Sequence, residues 1–515
     1  MLPTHAQGVE PEGNLLLRSR EETQLAHAAR RAGLGIFAQL SDATILRICS
    51  CATPGALGAL SVASDMCNAF ASFEEHWRIH SLVRAARAPV TFCGSWKATF
   101  LTAVRAQSGV TERQQLPPQR KRGVSIASDA LYLSHQLAHG SNHFGSPRGP
   151  PVARITKGTA PDLPAFTKEF EEGIGKPVVI AIAGASGADS STWDEDSLRL
   201  KLGDRVFHAG GANFQLADYL DYAATNADDQ PLYLFDPTFG RSAPELLDAY
   251  ERPAYFRDDL FDLLDDDRSA DRGGRDGVAG AERPDYRWLL IGGHRSGQAW
   301  HKDPNATSAW NLTLRGRKRW LFFPPHIPPP GVFPSADGGG DYVTPLVLEE
   351  WARDFYQEAC RMPGFCETES GPGDATFVPR GWWHMVLNLA PLTIAVSHHF
   401  LSPAGLHATL RLLRETPCQV SGIDRGLARD RSSDAGSSDA TPAERQADDD
   451  ARRRTAGSAL HDRLMEKLQA SRPEALRAAE LLLREEDSRR GGAVGLLKKL
   501  VAPETAPASF SFGFG

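Results

Sequence analysis

Between residues 31 and 105 apolar side chains recur at helical spacing, with Leu40, Ile45, Leu46 and Ile48 forming the first stripe. Ser41 or Asp42 is placed to cap that helix, and Thr53-Pro54 restarts another that carries Leu57, Leu60 and Val62. A third helix is expected around Phe73, Trp77 and Ile79. The pattern breaks at 105–127, where QQLPPQRKRG reads as a linker or surface crossing. From about 175 to 400 the texture is that of strands. KPVVIAIA, QPLYLFD, YRWLLIGG, KRWLFFPP, DATFVP and LTIAVSHHF are short, aromatic or β-branched, and bounded by Gly, Pro and Asp. Residues 266–283 and 334–341 read as loops among them. This spacing, with helices at its start, predicts a sandwich or barrel. Helical sequence returns beyond 402, interrupted by DRSSDAGSSDATPAERQADDDARRR, which has too little apolar surface to fold. Leu460, Leu464, Leu468, Leu476 and Leu483 then suggest a helical pair, packed on its own barrel or joining a homodimer.

Composition narrows the class. A chain of 515 residues allows two to four domains, and 41% hydrophobic residues supply ample core. No apolar run approaches the roughly 18 residues of a membrane helix. The start, MLPTHAQGVEPEGNLLLRSREE, lacks the basic and apolar regions of a secretion signal. A net charge of −7 argues against a chain built to coat nucleic acid. Seven scattered cysteines without a C-x-x-C pair exclude a disulfide framework and a cysteine zinc site. They suit a reducing intracellular compartment, and Arg120-Lys121-Arg122 reads as a solvated loop or as part of a nuclear import signal. The acidic cluster Asp258, Asp259, Asp262, Asp265, Asp266 and Asp267 reads as a solvated helix end, or as a surface that steers a basic protein tail.

The chemistry starts in WHKDPNATSAWN. On a strand, His301 and Asp303 leave the same face. They would make two legs of the 2-His-1-carboxylate set that holds non-haem Fe(II) with open positions. An H-x-D tripeptide occurs by chance on the order of once in such a chain, so a third ligand is needed. His384, His398 and His399 are the candidates. In SAWNLTLRGRKRWLFF a two-residue turn at Gly316-Arg317 would pair Arg315 with Lys318 and Thr313 with Trp320. Asn311, Thr313 and Lys318 would then share one face, while Trp310, Leu312, Leu314 and Leu321 take the other. Lys318 reads either as an anion anchor or as a lysine snorkelling at a hairpin tip.

WHKDPNATSAWNLTLRGRKRW, with PLYLFD upstream and GDATFVPRGWWHMVLNL downstream, resembles the JmjC-domain Fe(II)/2-oxoglutarate oxygenases. The nearest likeness is to the lysyl hydroxylases also described as arginine demethylases. It runs from about Gly175 to Pro403 and includes AYFRDDLFDLL, RPDYRWLLIGG and RSG. The resemblance implies that His301, Asp303 and His384 bind Fe(II). It implies that Lys318 pairs with the distal carboxylate of 2-oxoglutarate, with Asn311, Tyr233 and Ser397 lining that pocket and O2 as the second cosubstrate. Ser397 replaces the usual threonine, His398-His399 replaces a Gln-Asn pair, and APLTIAVS is one residue longer than in those relatives.

Residues 31–105 are similar to an F-box, through Leu40-Ser41-Asp42, Leu46, Ile48, Leu57, Leu60, Ser61 and Trp77, though Pro is missing after Leu40. RIHSLVRAARAPVTFCGSWKATFL resembles the segment after the F-box in proteins that join it to this oxygenase type. That likeness implies a cullin-ligase adaptor as partner; a helical cap on the oxygenase is the alternative. The expected fold is mainly β with helical flanks: a cupin-like double-stranded β-helix, an all-α F-box-like N-terminal domain and C-terminal helices. The expected divisions are a tail (1–30), the F-box-like region (31–105), a linker (106–165), the oxygenase (166–405), a helical extension (406–427), a disordered linker (428–456), C-terminal helices (457–500) and a tail (501–515). The expected activity is hydroxylation of a protein lysine, or of N-methyl-arginine with resulting demethylation. A binding-only ubiquitin-ligase receptor and a tRNA hydroxylase are the alternatives.

Overall fold

The computed structural model describes residues 9–12, 19–85, 89–107, 124–139, 143–181, 190–265, 283–334, 342–345, 347–423 and 442–501. Arg120-Lys121-Arg122, Asp266 and Asp267, and the tail beyond Val501 lie outside them.

Each β run expected between 175 and 400 contains a strand, and the strands divide between two sheets. The larger has nine strands, in the order Ala153–Ile155, Val178–Ala181, Asp374–Val378, Ser308–Arg315, Leu392–Phe400, Arg287–Gly293, Leu234–Asp236, Val206–Ala209 and Ala212–Gln215. The smaller has four, Cys366–Ser370, Lys318–Phe323, Trp383–Asn388 and Gly297–His301. From Arg287 to Phe323, and again from Asp374 to Phe400, successive strands alternate between the sheets, which is the winding of a cupin-like double-stranded β-helix.

This winding overturns the hairpin. Ser308–Arg315 pairs with Asp374–Val378 and Leu392–Phe400, whereas Lys318–Phe323 pairs with Cys366–Ser370 and Trp383–Asn388. Gly316-Arg317 therefore carries the chain from one sheet to the other. Gly316 has φ 77°, and a Cβ there would lie 2.5 Å from the Leu392 carbonyl oxygen, so the corner requires glycine. The expected faces survive, because alternation belongs to each strand and not to its partner. Asn311 and Lys318 face the cavity between the sheets, while Trp310 and Leu312 join an outer aromatic cluster.

Helix Leu348–Ala359, unanticipated from sequence, covers the small sheet. It buries Leu348, Trp351, Ala352, Tyr356 and Ala359 against Trp300, Leu321, Phe323, Trp383, Met385 and Leu387. Those strand residues alternate with cavity-facing ones, so the small sheet is buried on both faces.

The N-terminal stripes form helices Asp42–Ser50, Pro54–Ser61 and Glu74–Ala85, the first two capped by Ser41 and Thr53. Phe73 precedes the third. Residues 1–30 are not simply a tail, since helix Arg20–Leu34 opens on a capping box between Ser19 and Glu22. Residues 106–165 hold strand Val124–Ala127, helix Asp129–His139 and strand Ala153–Ile155, and residues 442–456 begin helix Pro442–Ser471 rather than extending a disordered linker.

One continuous core joins the N-terminal helices to the large sheet. Ile45, Leu57, Phe70, Trp77 and Trp96 pack with Phe214, Tyr219, Tyr222, Ile291, Ile394 and Val396. The Trp96 indole also donates to buried Asp228 at 2.8 Å. At roughly 1.5–3 kcal/mol per large side chain buried, the helical side of this interface is worth about as much as the net stability of a typical domain.

At the other end Leu460, Leu464, Leu468, Leu476 and Leu483 are buried against Leu260, Leu264, Leu401, Leu406 and Leu410, so this face is used within the chain, on the helical elements that flank the barrel. The acidic run is not an open steering surface either. Asp259, Asp262 and Asp265 surround the buried Arg283 guanidinium, and Asp258 pairs with Arg472 at 2.7 Å. Among the described residues no single helix is long and apolar enough to cross a membrane.

Candidate functional site

The site begins with an irregularity in the small sheet. His301 is opposite His384 and Gln298 opposite Val386, so Gly297–His301 spends one more residue than its partner over the same stretch. That bulge re-aims the strand end, letting both Gln298 and His301 face the cavity while Trp300 packs against Trp351 outside. The strand stops at His301. Asp303 thus shares no strand face with it, and instead leads the 3-10 turn Pro304–Ala306. The turn achieves what the strand was expected to do. Donor atoms of His301, Asp303 and His384 all lie within 4.8 Å of one another.

Both imidazoles are oriented from behind. His301 Nδ1–H donates to the Ala299 carbonyl at 2.8 Å and His384 Nδ1–H to the Trp382 carbonyl at 3.1 Å. That fixes the tautomer and turns each Nε2 lone pair inward, 4.0 Å and 3.6 Å from Asp303 Oδ1. Burial, aided by neighbouring His384, pulls His301 down to a pKa of about 3 and keeps it neutral. Burial alone would raise the Asp303 carboxyl, but His399 and His384 outweigh it and hold the group below the usual carboxylate range. Asp303 Oδ2 is buried without a hydrogen-bond partner. Two imidazoles that turn a ring nitrogen inward and one carboxylate with an unsatisfied oxygen suit a divalent cation such as Fe(II), and among the described residues no other group of three donors converges in this way.

The same cavity, about 410 Å³, is lined by Tyr233, Asn311, Lys318 and Ser397, so every sequence-expected site residue reaches it. Lys318 is not a lysine at an exposed hairpin tip but is 1% exposed. Its ammonium donates to the Tyr233 hydroxyl at 3.0 Å and lies 5.8 Å from the Trp320 ring. Burial, with no carboxylate among the described residues to offset it, pulls Lys318 down to a pKa of about 7, and burial pushes Tyr233 above its ordinary range. Asn311 Oδ1 is buried without a partner, and Ser397 opposes Asn311 in register. A buried cation beside neutral donors is a receptor for a carboxylate.

Strand Leu392–Phe400 settles the adjacent histidines by alternation. Ser397 and His399 face the cavity. His398 turns away, bonds the Tyr250 hydroxyl at 2.8 Å and stacks on Trp310 with ring centroids 4.3 Å apart. His399 is a pocket residue whose role sequence reasoning left open; its Nε2 lies 3.2 Å from Asp303 Oδ1.

Sequence reasoning also missed one wall of the pocket. Ser421 and Gly422, which come after helix Leu406–Glu415, line the cavity with Asp285. Asn305, at φ 60°, clasps Ser421 from both sides, accepting from its N–H at 2.9 Å and donating to its carbonyl at 3.0 Å. The positive φ of Asn305, tolerated best by Asn or Gly, was a signal available two residues after Asp303 only once the turn was known.

A family profile described as "Cupin-like domain" matches residues 166–404. The chain is 33% identical over 416 residues, 80% of its length and 76% of the relative's, to the arginine-specific demethylase JMJ22 of Arabidopsis thaliana. It is 35% identical over 256 residues to the bifunctional arginine demethylase and lysyl-hydroxylase psr-1 of Caenorhabditis elegans, covering 47% of this chain and 59% of that one. Over 196 residues it is 27% identical to the 2-oxoglutarate and iron-dependent oxygenase JMJD4 of Danio rerio, covering 38% of this chain and 42% of that one. The chain thus spans less than two thirds of the last two relatives.

Proposed function

The chain belongs to the cupin-like JmjC oxygenases, and on that premise we propose that it hydroxylates a protein side chain, lysine or N-methyl-arginine, with Fe(II), 2-oxoglutarate and O2. The observation that carries this reading is the coexistence, in one cavity, of a three-donor metal set and a buried lysine able to hold a carboxylate. A fold used only for binding needs neither. His301, Asp303 and His384 would hold Fe(II), leaving positions for the keto acid and O2. When bound, iron with its cosubstrate supplies the oxidant, and the balance is R–H + O2 + 2-oxoglutarate → R–OH + succinate + CO2. On an N-methyl group the hydroxymethyl product loses formaldehyde, so one site serves hydroxylation and demethylation.

The chain's own residues position and protect. Lys318 and the Tyr233 hydroxyl would take the distal carboxylate, with Asn311 and Ser397 beside it. Trp288, Trp320 and Val386 line the cavity with apolar surface that limits water. The state of Lys318 gives a pH prediction. Free Lys318 is charged below about pH 7 and neutral above it, whereas a bound carboxylate favours the charged form. Cosubstrate binding therefore draws in a proton above that pH. The dissociation constant of 2-oxoglutarate is expected to stay flat below about pH 7 and to rise by up to about tenfold per pH unit above it. Calorimetry in buffers of differing ionisation enthalpy measures both effects, and an affinity that does not change with pH contradicts the assignment.

We propose further that residues 31–105 act as an F-box-type docking region for a cullin-ligase adaptor. The supporting observation is that Ile36, Ile48 and Val62 are 82%, 44% and 84% exposed on these helices. Pull-down of the adaptor by the full chain, but not by Ile48→Asp, is the expected result. No capture by the wild type leaves the helices as a cap on the oxygenase, consistent with the core they share.

A further inference from the structure

We infer that His399 is a positioning residue for the metal-binding carboxylate, holding Asp303 in place by a hydrogen bond from its Nε2–H. The inference rests on the metal site proposed above and deepens it, since His399 stands outside the group of three converging donors. Its Nε2 lies 3.2 Å from Asp303 Oδ1, closer than either His301 or His384. The surroundings favour a proton on Nε2: His399 Nδ1 is buried with no hydrogen-bond partner, whereas an Nε2–H has the carboxylate to accept it. The other carboxylate oxygen, Oδ2, has no partner.

The backbone and one ring make this donor rigid. His399 N–H donates to the Tyr286 carbonyl at 2.6 Å, and its residue pairs with Ala309 across the sheet. Its ring packs on Trp288, with centroids 4.3 Å apart. The need for such a brace is visible in the chain. Asp303 lies beyond the end of its strand, in a turn that continues through Asn305 and Ala306 at φ 60° and 52°, so no ladder fixes its side chain. His301 and His384 are each braced by a backbone carbonyl, and His399 gives the carboxylate the equivalent support.

The test is a titration of each protein with Mn(II), monitored by loss of the free-ion electron paramagnetic resonance signal, which needs neither substrate nor turnover. His399→Ala and His399→Leu remove the donor, His399→Asn and His399→Gln keep one, and His301→Ala removes a proposed ligand. The donor-less variants are expected to bind about ten- to a hundredfold more weakly than the wild type, with most of the loss recovered in the Asn or Gln variant. A merely structural histidine would lower the melting temperature without moving Mn(II) affinity. Donor-less variants that fold and bind like the wild type overturn the inference, even where His301→Ala has lost the metal. Loss as complete as in His301→Ala, without rescue, overturns it in favour of His399 as a ligand. No Mn(II) binding by the wild type removes the metal site itself and the inference with it.

Discussion

His301→Ala and His384→Ala are each expected to abolish tight Fe(II) binding and, with it, succinate formation from 2-oxoglutarate. These are the largest effects of any substitution considered. Each imidazole is one of the three donors that converge among the described residues, and removing one leaves that set with a carboxylate and a single ring to hold the cation. His398 is the control. It faces Tyr250 and Trp310, so His398→Ala should lower stability while leaving metal binding intact. Metal titration with succinate assay checks all three variants, and retention of activity by His384→Ala alongside loss in His398→Ala contradicts the ligand assignment.

Lys318→Ala should raise the apparent 2-oxoglutarate constant by about ten- to a hundredfold at saturating iron. A charge-assisted contact in a buried pocket is worth roughly 1.5–3 kcal/mol, and 1.4 kcal/mol is a factor of ten. Metal affinity should barely change, because Lys318 is not among the converging donors. Removal of a surface lysine would instead alter stability by under about 0.5 kcal/mol and leave the cosubstrate constant alone. Lys318 is fully enclosed, and its ammonium is held by the Tyr233 hydroxyl. Arginine keeps the charge but brings a larger planar fork into the same space, so Lys318→Arg should rescue only in part. Equal constants for wild type and Lys318→Ala, from a titration of 2-oxoglutarate, would show that this lysine does not anchor the cosubstrate.

The sequence was most legible where burial and local period agree. LTIAVSHHF and KRWLFF could be little else than buried strands, and the alternation along SAWNLTLR and KRWLFF correctly divided Asn311 and Lys318 from Trp310, Leu312 and Leu321. What failed was pairing. Gly316-Arg317 has the chemistry of a hairpin turn, yet the strands it joins lie in different sheets, and nothing local distinguishes a turn from a crossover. The spacing of Asp303 from His301 fits a strand, but the turn at Pro304 meets the same requirement by another route.

Other elements carried signals of their own in the sequence. Ser19-x-x-Glu22 is a capping box that announces helix Arg20–Leu34, and Leu348, Trp351, Ala352 and Tyr356 are spaced as one helical face. The contact of His399 with Asp303 and the clasp of Asn305 on Ser421 join residues about a hundred positions apart. Spacing along the chain carries no trace of such contacts, and only the tertiary fold makes them visible.

A cavity that oxidises a protein side chain leaves oxygen from O2 in its product. The most direct test is incubation of the purified chain with Fe(II), 2-oxoglutarate, ¹⁸O₂ and a cell lysate, then mass spectrometry of proteins and RNA, with His301→Ala as the blank. The expected result is ¹⁸O on lysyl residues, or loss of methyl from N-methyl-arginine, in proteins treated with the wild type alone. Label confined to RNA, or proteins indistinguishable from those treated with His301→Ala, would contradict it.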